Sequence, residues 1–97
     1  MSHFRSKTLL DSAEGKACMN CGEVGDTVSA HANSVSLGKG TGIKVPDYYT
    51  ARLCHVCHAM YDGRLGNMTK QAKEDLWTRA YLRTVAQWFK EGVVRVV

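Results

Sequence analysis

Ninety-seven residues carry thirteen Lys and Arg against nine Asp and Glu, a net charge of +4, and four cysteines. A chain this short builds one domain with a modest core and often needs a staple such as a metal or disulfides. No apolar run is long enough to cross a bilayer, and Met1-Ser2-His3-Phe4-Arg5 has no apolar h-region, so the expectation is a cytosolic chain without a membrane span. The basic balance is compatible with a polyanionic partner and singles none out.

All four cysteines fall into two C-x-x-C pairs, Cys18-Met19-Asn20-Cys21 and Cys54-His55-Val56-Cys57. In a reducing compartment such pairs favour zinc over disulfides or redox dithiols. Four thiolates give a closed tetrahedral site that contributes folding free energy and leaves no open position for catalysis. The expected zinc ligands are therefore Cys18, Cys21, Cys54 and Cys57.

In chain order, Ser6 can cap a short helix over Lys7–Glu14, with Leu9, Leu10 and Ala13 on its apolar side and Gly15 at its end. Gly22 after the first cysteine pair permits the tight turn of a zinc knuckle. Thr27–Ala32 alternates weakly and is predicted as a strand. From Asn33 to Pro46 the chain reads as a long hairpin connection, and Gly38–Gly42 matches neither phosphate-binding fingerprint. Tyr48–Leu53 is rich in β-formers and predicts a second strand. A helix should start within Cys54–His58 and run to about Asp62, stopped by Gly63 and Gly66.

Thr69 then opens the longest predicted helix, Lys70–Lys90, free of Gly and Pro. Leu76, Trp77, Ala80, Tyr81, Val85, Trp88 and Phe89 form its apolar side, which reads as core. Arg79, Arg83 and Lys90 form a stripe that could meet phosphates or simply face solvent. Gly92 ends the helix, and Val93–Val97 reads as a short tail strand.

His58 and Asp62 are spaced i, i+4 and would project from one helical face. An imidazole and a carboxylate so placed can chelate Mg²⁺, Mn²⁺ or a second Zn²⁺, with water completing the shell. His31 would face that ion if the hairpin folds over the helix, and as a neutral imidazole it could take a proton from water while the ion stabilises charge on a phosphoester oxygen. The alternatives are a satisfied structural histidine at position 31 and an extra zinc ligand or outer-shell partner at position 58. Cys54-x-x-Cys57-His58 also fits the c-type haem attachment motif, but haem leaves Cys18 and Cys21 unexplained, and no haem is expected.

The order Cys-x-x-Cys, a histidine on a strand, a loop, and Cys-x-x-Cys-His on a helix resembles the HNH (ββα-metal) endonucleases in their zinc-stapled form. Gly40–Asp47, Cys54-x-x-Cys57-His58 with Asp62, and Gln87–Val93 look more narrowly like the YbcO-like nuclease family of phages and prophages. The resemblance implies an α+β fold: a small zinc-stapled ββα-metal (HNH, treble-clef-like) domain over residues 1–97, its core at about 18–64 and a long C-terminal helix at about 69–90. It implies a metal-dependent DNA endonuclease acting in phage DNA processing or recombination in the host cytoplasm. His31 would be the general base, with His58 and Asp62 on the catalytic divalent ion. Lys39, Lys44, Arg52 and Arg64 are the residues expected near the DNA backbone. Ala30 stands where many HNH proteins carry an acidic metal ligand, and Asp47 is the best counterpart of the motif's loop-bracing asparagine. The competing expectation is a zinc-stabilised DNA-binding or adaptor module with no chemistry of its own.

Overall fold

The structure, a computed structural model, describes residues 5–33 and 45–95. Its elements run α1 (Lys7–Asp11), β1 (Val28–His31), β2 (Thr50–Leu53), α2 (His55–Tyr61) and α3 (Lys70–Lys90). This is a small α+β architecture: a two-stranded antiparallel sheet with a long C-terminal helix laid against it.

The hairpin pairs Val28 with Leu53, Ser29 with Arg52, Ala30 with Ala51 and His31 with Thr50. Because side chains alternate between the faces of a strand, Ala30, Ala51 and Leu53 turn toward one side. There they join Cys54, Cys57, Tyr61, Leu76, Trp77 and Ala80 in the core. Ser29, His31, Thr50 and Arg52 turn to the other side, where Ser29 Oγ donates to the Leu10 carbonyl of α1 at 2.8 Å. β2 would otherwise present a bare outer edge, a hazard in any small sheet. Instead the Arg52 amide donates to Thr84 Oγ1 at 2.9 Å, and the Arg52 carbonyl accepts from the Met19 amide at 2.8 Å. One helix side chain and one knuckle amide thus cover the outer edge of β2 at Arg52.

Each helix begins where its cap dictates. The side chains of Ser6, Cys54 and Thr69 accept from Leu9, Cys57 and Ala72 amides respectively, satisfying first-turn donors. α3 matches its predicted limits. α1 is shorter than predicted, ending at Asp11, and the chain continues in turns to Gly15. The two strands are likewise shorter than predicted.

Two readings of the C-terminal region are corrected. Phe89 is 48% exposed, while Thr84 is fully buried in its stead. The inward stripe of α3 runs through Trp77, Ala80, Thr84 and Trp88, and Phe89, one residue past Trp88, is rotated about 100° away from it. The predicted tail strand is absent over residues 93–95. The Val93 and Val94 amides return to the Trp88 carbonyl at 2.9 and 3.2 Å, closing the helix end around Gly92, whose φ is +74°. Residues 96 and 97 lie outside the described residues, as do Lys39, Lys44 and the Gly38–Gly42 run.

Candidate metal centre and the polar site beside it

The four predicted zinc ligands converge. The sulfurs of Cys18, Cys21, Cys54 and Cys57 all lie within 4.8 Å of one another, and Cys21 and Cys54 are 3.6 Å apart. Zinc–thiolate bonds of about 2.3 Å in a tetrahedron put sulfurs about 3.8 Å apart, so the cluster can hold such an ion with small adjustments. Three amides already point at sulfur: Asn20 and Cys21 donate to Cys18 Sγ, each at 3.4 Å, and Cys57 donates to Cys54 Sγ at 3.5 Å. Gly22, at φ +88°, makes the knuckle turn possible, and its amide donates to the Cys18 carbonyl. Asn20 Nδ2 reaches across to Cys57 Sγ at 3.3 Å.

The thiols differ in acidity. Burial pushes the Cys18 thiol up, but the amides of Cys21, Cys54 and Asn20 outweigh it and bring it down to about 7. Burial instead drives Cys57 up to about 12, against the opposing pull of the Asn20 amide. A low-pKa thiolate beside high-pKa thiols is a set of donors that a divalent cation would deprotonate together. Among the described residues this is the one grouping of three or more metal-binding side chains. A cleft of about 520 Å³ opens beside it, lined by Cys21, Glu23, Val24, Gly25, Asp26, Cys54 and Val56 and by none of the predicted catalytic residues.

α2 carries the second predicted pair on its outer side. His58 Nε2 and Asp62 Oδ2 lie 3.2 Å apart, both less than a third exposed. That separation fits two donors on one ion. The pair supplies one imidazole nitrogen and one carboxylate oxygen, and among the described residues no third metal-binding side chain joins them. Asp62 is also contacted by Arg64 Nη2 at 3.1 Å and Asn33 Nδ2 at 3.2 Å, so its oxygens are satisfied by protein donors as they stand.

His31 is held elsewhere. Its Nε2 lies 2.9 Å from Asp47 Oδ1, and its side chain is 36% exposed, so the ring is neither sealed nor packed into hydrocarbon. The strand alternation that sends Ala30 toward α2 and α3 sends His31 to the opposite sheet face. What links the two places is Asn33, two residues beyond His31. Its amide donates to Tyr61 Oη at 2.6 Å and its side chain donates to Asp62. The structure therefore brings His58, Asp62, Arg64 and Asn33 together directly, and reaches His31 through the end of β1.

Arg52 corrects the sequence reading. Its guanidinium, 1% exposed, makes paired 2.8 Å bonds to both Glu91 carboxylate oxygens and a 3.2 Å bond to Ser12 Oγ. A residue so enclosed cannot meet a DNA backbone; it ties β2 to the end of α3 and to the turn after α1. On α3, Arg79 and Lys90 face solvent, while Arg83 Nη1 donates to the Met19 carbonyl of the knuckle at 3.0 Å. His55 is exposed. No described helix is long and apolar enough to cross a membrane.

No protein-family model matches this chain, and no curated protein matches it. A solved structure does: one described as a putative bacteriophage protein from Escherichia coli str. K-12 substr. MG1655. It superposes with a TM-score of 0.69 at 24% identity, over 87% of this chain and 99% of that one. At that identity the likeness is one of fold.

Proposed function

We propose that this protein is a zinc-stapled, metal-dependent endonuclease of the HNH type that hydrolyses DNA phosphodiesters in a phage or prophage setting. The observation that carries the reading is the His58–Asp62 pair, 3.2 Å apart on the outer side of α2, tied through Asn33 to the strand that bears His31. The fold-level likeness to a phage-described protein supports the setting.

In this reading His58 and Asp62 would hold a divalent cation, Mg²⁺ or Mn²⁺, which would supply positive charge against the negative charge developing on the phosphoester. A substrate lying across the end of β1, from the α2 pair to the sheet face that bears His31, would bring a water molecule to that imidazole, which takes its proton as the water oxygen bonds to phosphorus. One phosphorus–oxygen ester bond breaks, and its oxygen leaves as an alcohol after gaining a proton from solvent, giving a phosphate monoester. Arg64, 57% exposed beside Asp62, can turn its guanidinium from the carboxylate to a phosphate. Lys39 and Lys44 belong to the same proposed backbone contact. Cys18, Cys21, Cys54 and Cys57 hold the structural zinc and take no part in the chemistry.

One observation favours the second reading, a zinc-stabilised DNA-binding or adaptor module. Asp62 is fully engaged by His58, Arg64 and Asn33, an arrangement that is complete without an ion. The two readings separate in a supercoiled-plasmid nicking assay across Mg²⁺, Mn²⁺ and Zn²⁺, run with wild type, His31→Ala and Asp62→Ala. The nuclease nicks with a divalent ion and loses nicking in both variants while retaining its circular dichroism and DNA affinity. DNA binding without nicking under any ion overturns the hydrolytic reading.

A further inference from the structure

The most enclosed carboxylate in the described residues has no part in the chemistry above. Asp47 is 1% exposed and sits on the chain leading into β2. Its Oδ1 accepts from Arg5 Nη1 at 2.7 Å and lies 2.9 Å from His31 Nε2. Its Oδ2 accepts from the Ser6 amide at 2.7 Å. Its backbone is pinned as well: the Asp47 carbonyl accepts from Thr50 Oγ1 at 2.9 Å, and Arg5 Nη1 also donates to the neighbouring Val45 carbonyl. Three separate pieces of chain, the segment before α1, the approach to β2 and the end of β1, therefore converge on one carboxylate.

Burial raises the Asp47 pKa, but the hydrogen bonds from His31, the Ser6 amide and Arg5 prevail and hold it below the usual carboxylate value. Its oxygens at neutral pH are acceptors only. A contact of 2.9 Å with an acceptor requires a proton on His31 Nε2. A neutral imidazole carries one N–H, so the lone pair is then on Nδ1. Among the described residues the charged groups bonded to Asp47 are Arg5, from the N-terminal segment, and His31, from β1. Arg5 shares Oδ1 with the ring, so part of the carboxylate charge is already met by the guanidinium.

We propose that Asp47 is a positioning residue that fixes His31 as the Nε2–H tautomer and leaves Nδ1 as its proton-accepting atom. The inference rests on the reading of His31 as the general base, and goes beyond bracing of the loop. A carboxylate on the far ring nitrogen does what the third member of a catalytic triad does: it sets tautomer and orientation without touching substrate. Arg5 and the Ser6 amide act one step further out, holding the carboxylate rather than the ring.

The test reads the ring directly. Long-range ¹H–¹⁵N spectra of ¹⁵N-labelled protein, with His31 assigned by its loss in His31→Ala, distinguish a protonated from an unprotonated ring nitrogen. The wild-type ring should show a protonated Nε2 and an unprotonated Nδ1 in its neutral form. Asp47→Asn, close to isosteric, should give mixed or reversed tautomers, because an amide can offer N–H₂ to Nε2. In the nicking assay the same variant should lose on the order of 10²-fold or more in kcat with KM held, and its pH–rate profile should change shape. Arg5→Met should leave the tautomer in place. A wild-type ring protonated on Nδ1 overturns the inference, and that arm needs no variant to fold. If wild type nicks while Asp47→Asn matches it in both tautomer and rate, positioning fails and the nuclease stands. If wild type never nicks but the tautomer reverses in Asp47→Asn, the lock stands and the hydrolytic reading falls.

Discussion

Glu91→Ala should destabilise this protein far more than a surface carboxylate does, because it abandons a guanidinium that cannot leave. The Arg52 side chain is 1% exposed and Glu91 23%, and two 2.8 Å bonds join them. Removing one partner of a buried pair costs about 3–5 kcal/mol. Glu91 is partly open to water and Ser12 Oγ keeps one bond to Arg52, so the cost falls below that range, to about 2–3 kcal/mol. In a domain of this length that is a fall in melting temperature of about 10–20 °C. Arg52 Nε has no hydrogen-bond partner, so the pair is not an optimised one, and Arg52→Leu combined with Glu91→Leu should lose less than Glu91→Ala alone. Arg52 holds the Glu91 carboxyl below its usual value of 4.5. The pair's contribution is therefore complete above the unfolded pKa and disappears as pH falls through the lower, folded one. Thermal denaturation of the three proteins at pH 7 and pH 3 measures all of this. A Glu91→Ala midpoint within 3 °C of wild type at pH 7 would refute the argument, and with it the assignment of Arg52 to structure rather than to DNA.

Two further perturbations test the core and the knuckle. Trp77 Nε1 donates to the Ala30 carbonyl at 3.0 Å, a second bond to an oxygen that already pairs with Ala51 in the ladder, so Trp77→Phe should cost about 0.5–1.5 kcal/mol for that bond in urea denaturation, and no loss at all would show that water replaces it. Arg83→Ala removes the bond from α3 to the Met19 carbonyl, which is exposed, so the loss should stay near 0.5 kcal/mol with zinc content unchanged by metal analysis.

Much of this arrangement was readable in advance because it is local. Ser6 and Thr69 announce their helices, and Gly22 and Gly92 mark turns that need positive φ. The cysteine spacing alone points to a shared metal, and the thiols do converge. Apart from the tail strand, which a local return to the Trp88 carbonyl replaces, the misreadings share a different cause: the deciding partner is distant in sequence. An arginine beside Leu53 looks solvent-facing until Glu91, thirty-nine residues on, is folded against it. Hydropathy ranks Phe89 above Thr84, but only the threonine can accept the edge amide of β2, so the threonine is buried. Asp47 was legible as a loop brace and not as the partner of His31. Nothing in a sixteen-residue separation tells a carboxylate which imidazole it will meet.

The division of labour along α2 leads to a final prediction. Successive residues on a helix differ by about 100° in direction, so Cys57 points into the core at 4% exposure while His58, its neighbour, looks outward with Asp62 one turn on. Zinc held by Cys54 and Cys57 would therefore fix the helix whose other side carries His58 and Asp62, and the dependence would run one way. Asp62→Asn should abolish binding of Mn²⁺, followed by electron paramagnetic resonance, and leave one zinc per chain. Cys57→Ser should lose the zinc and the Mn²⁺ binding together, because a helix of seven residues is too short to persist without tertiary support. Mn²⁺ binding that survives Asp62→Asn would place the second ion elsewhere. Mn²⁺ binding that survives loss of zinc would mean that α2 is held by its packing on α3 rather than by the thiols.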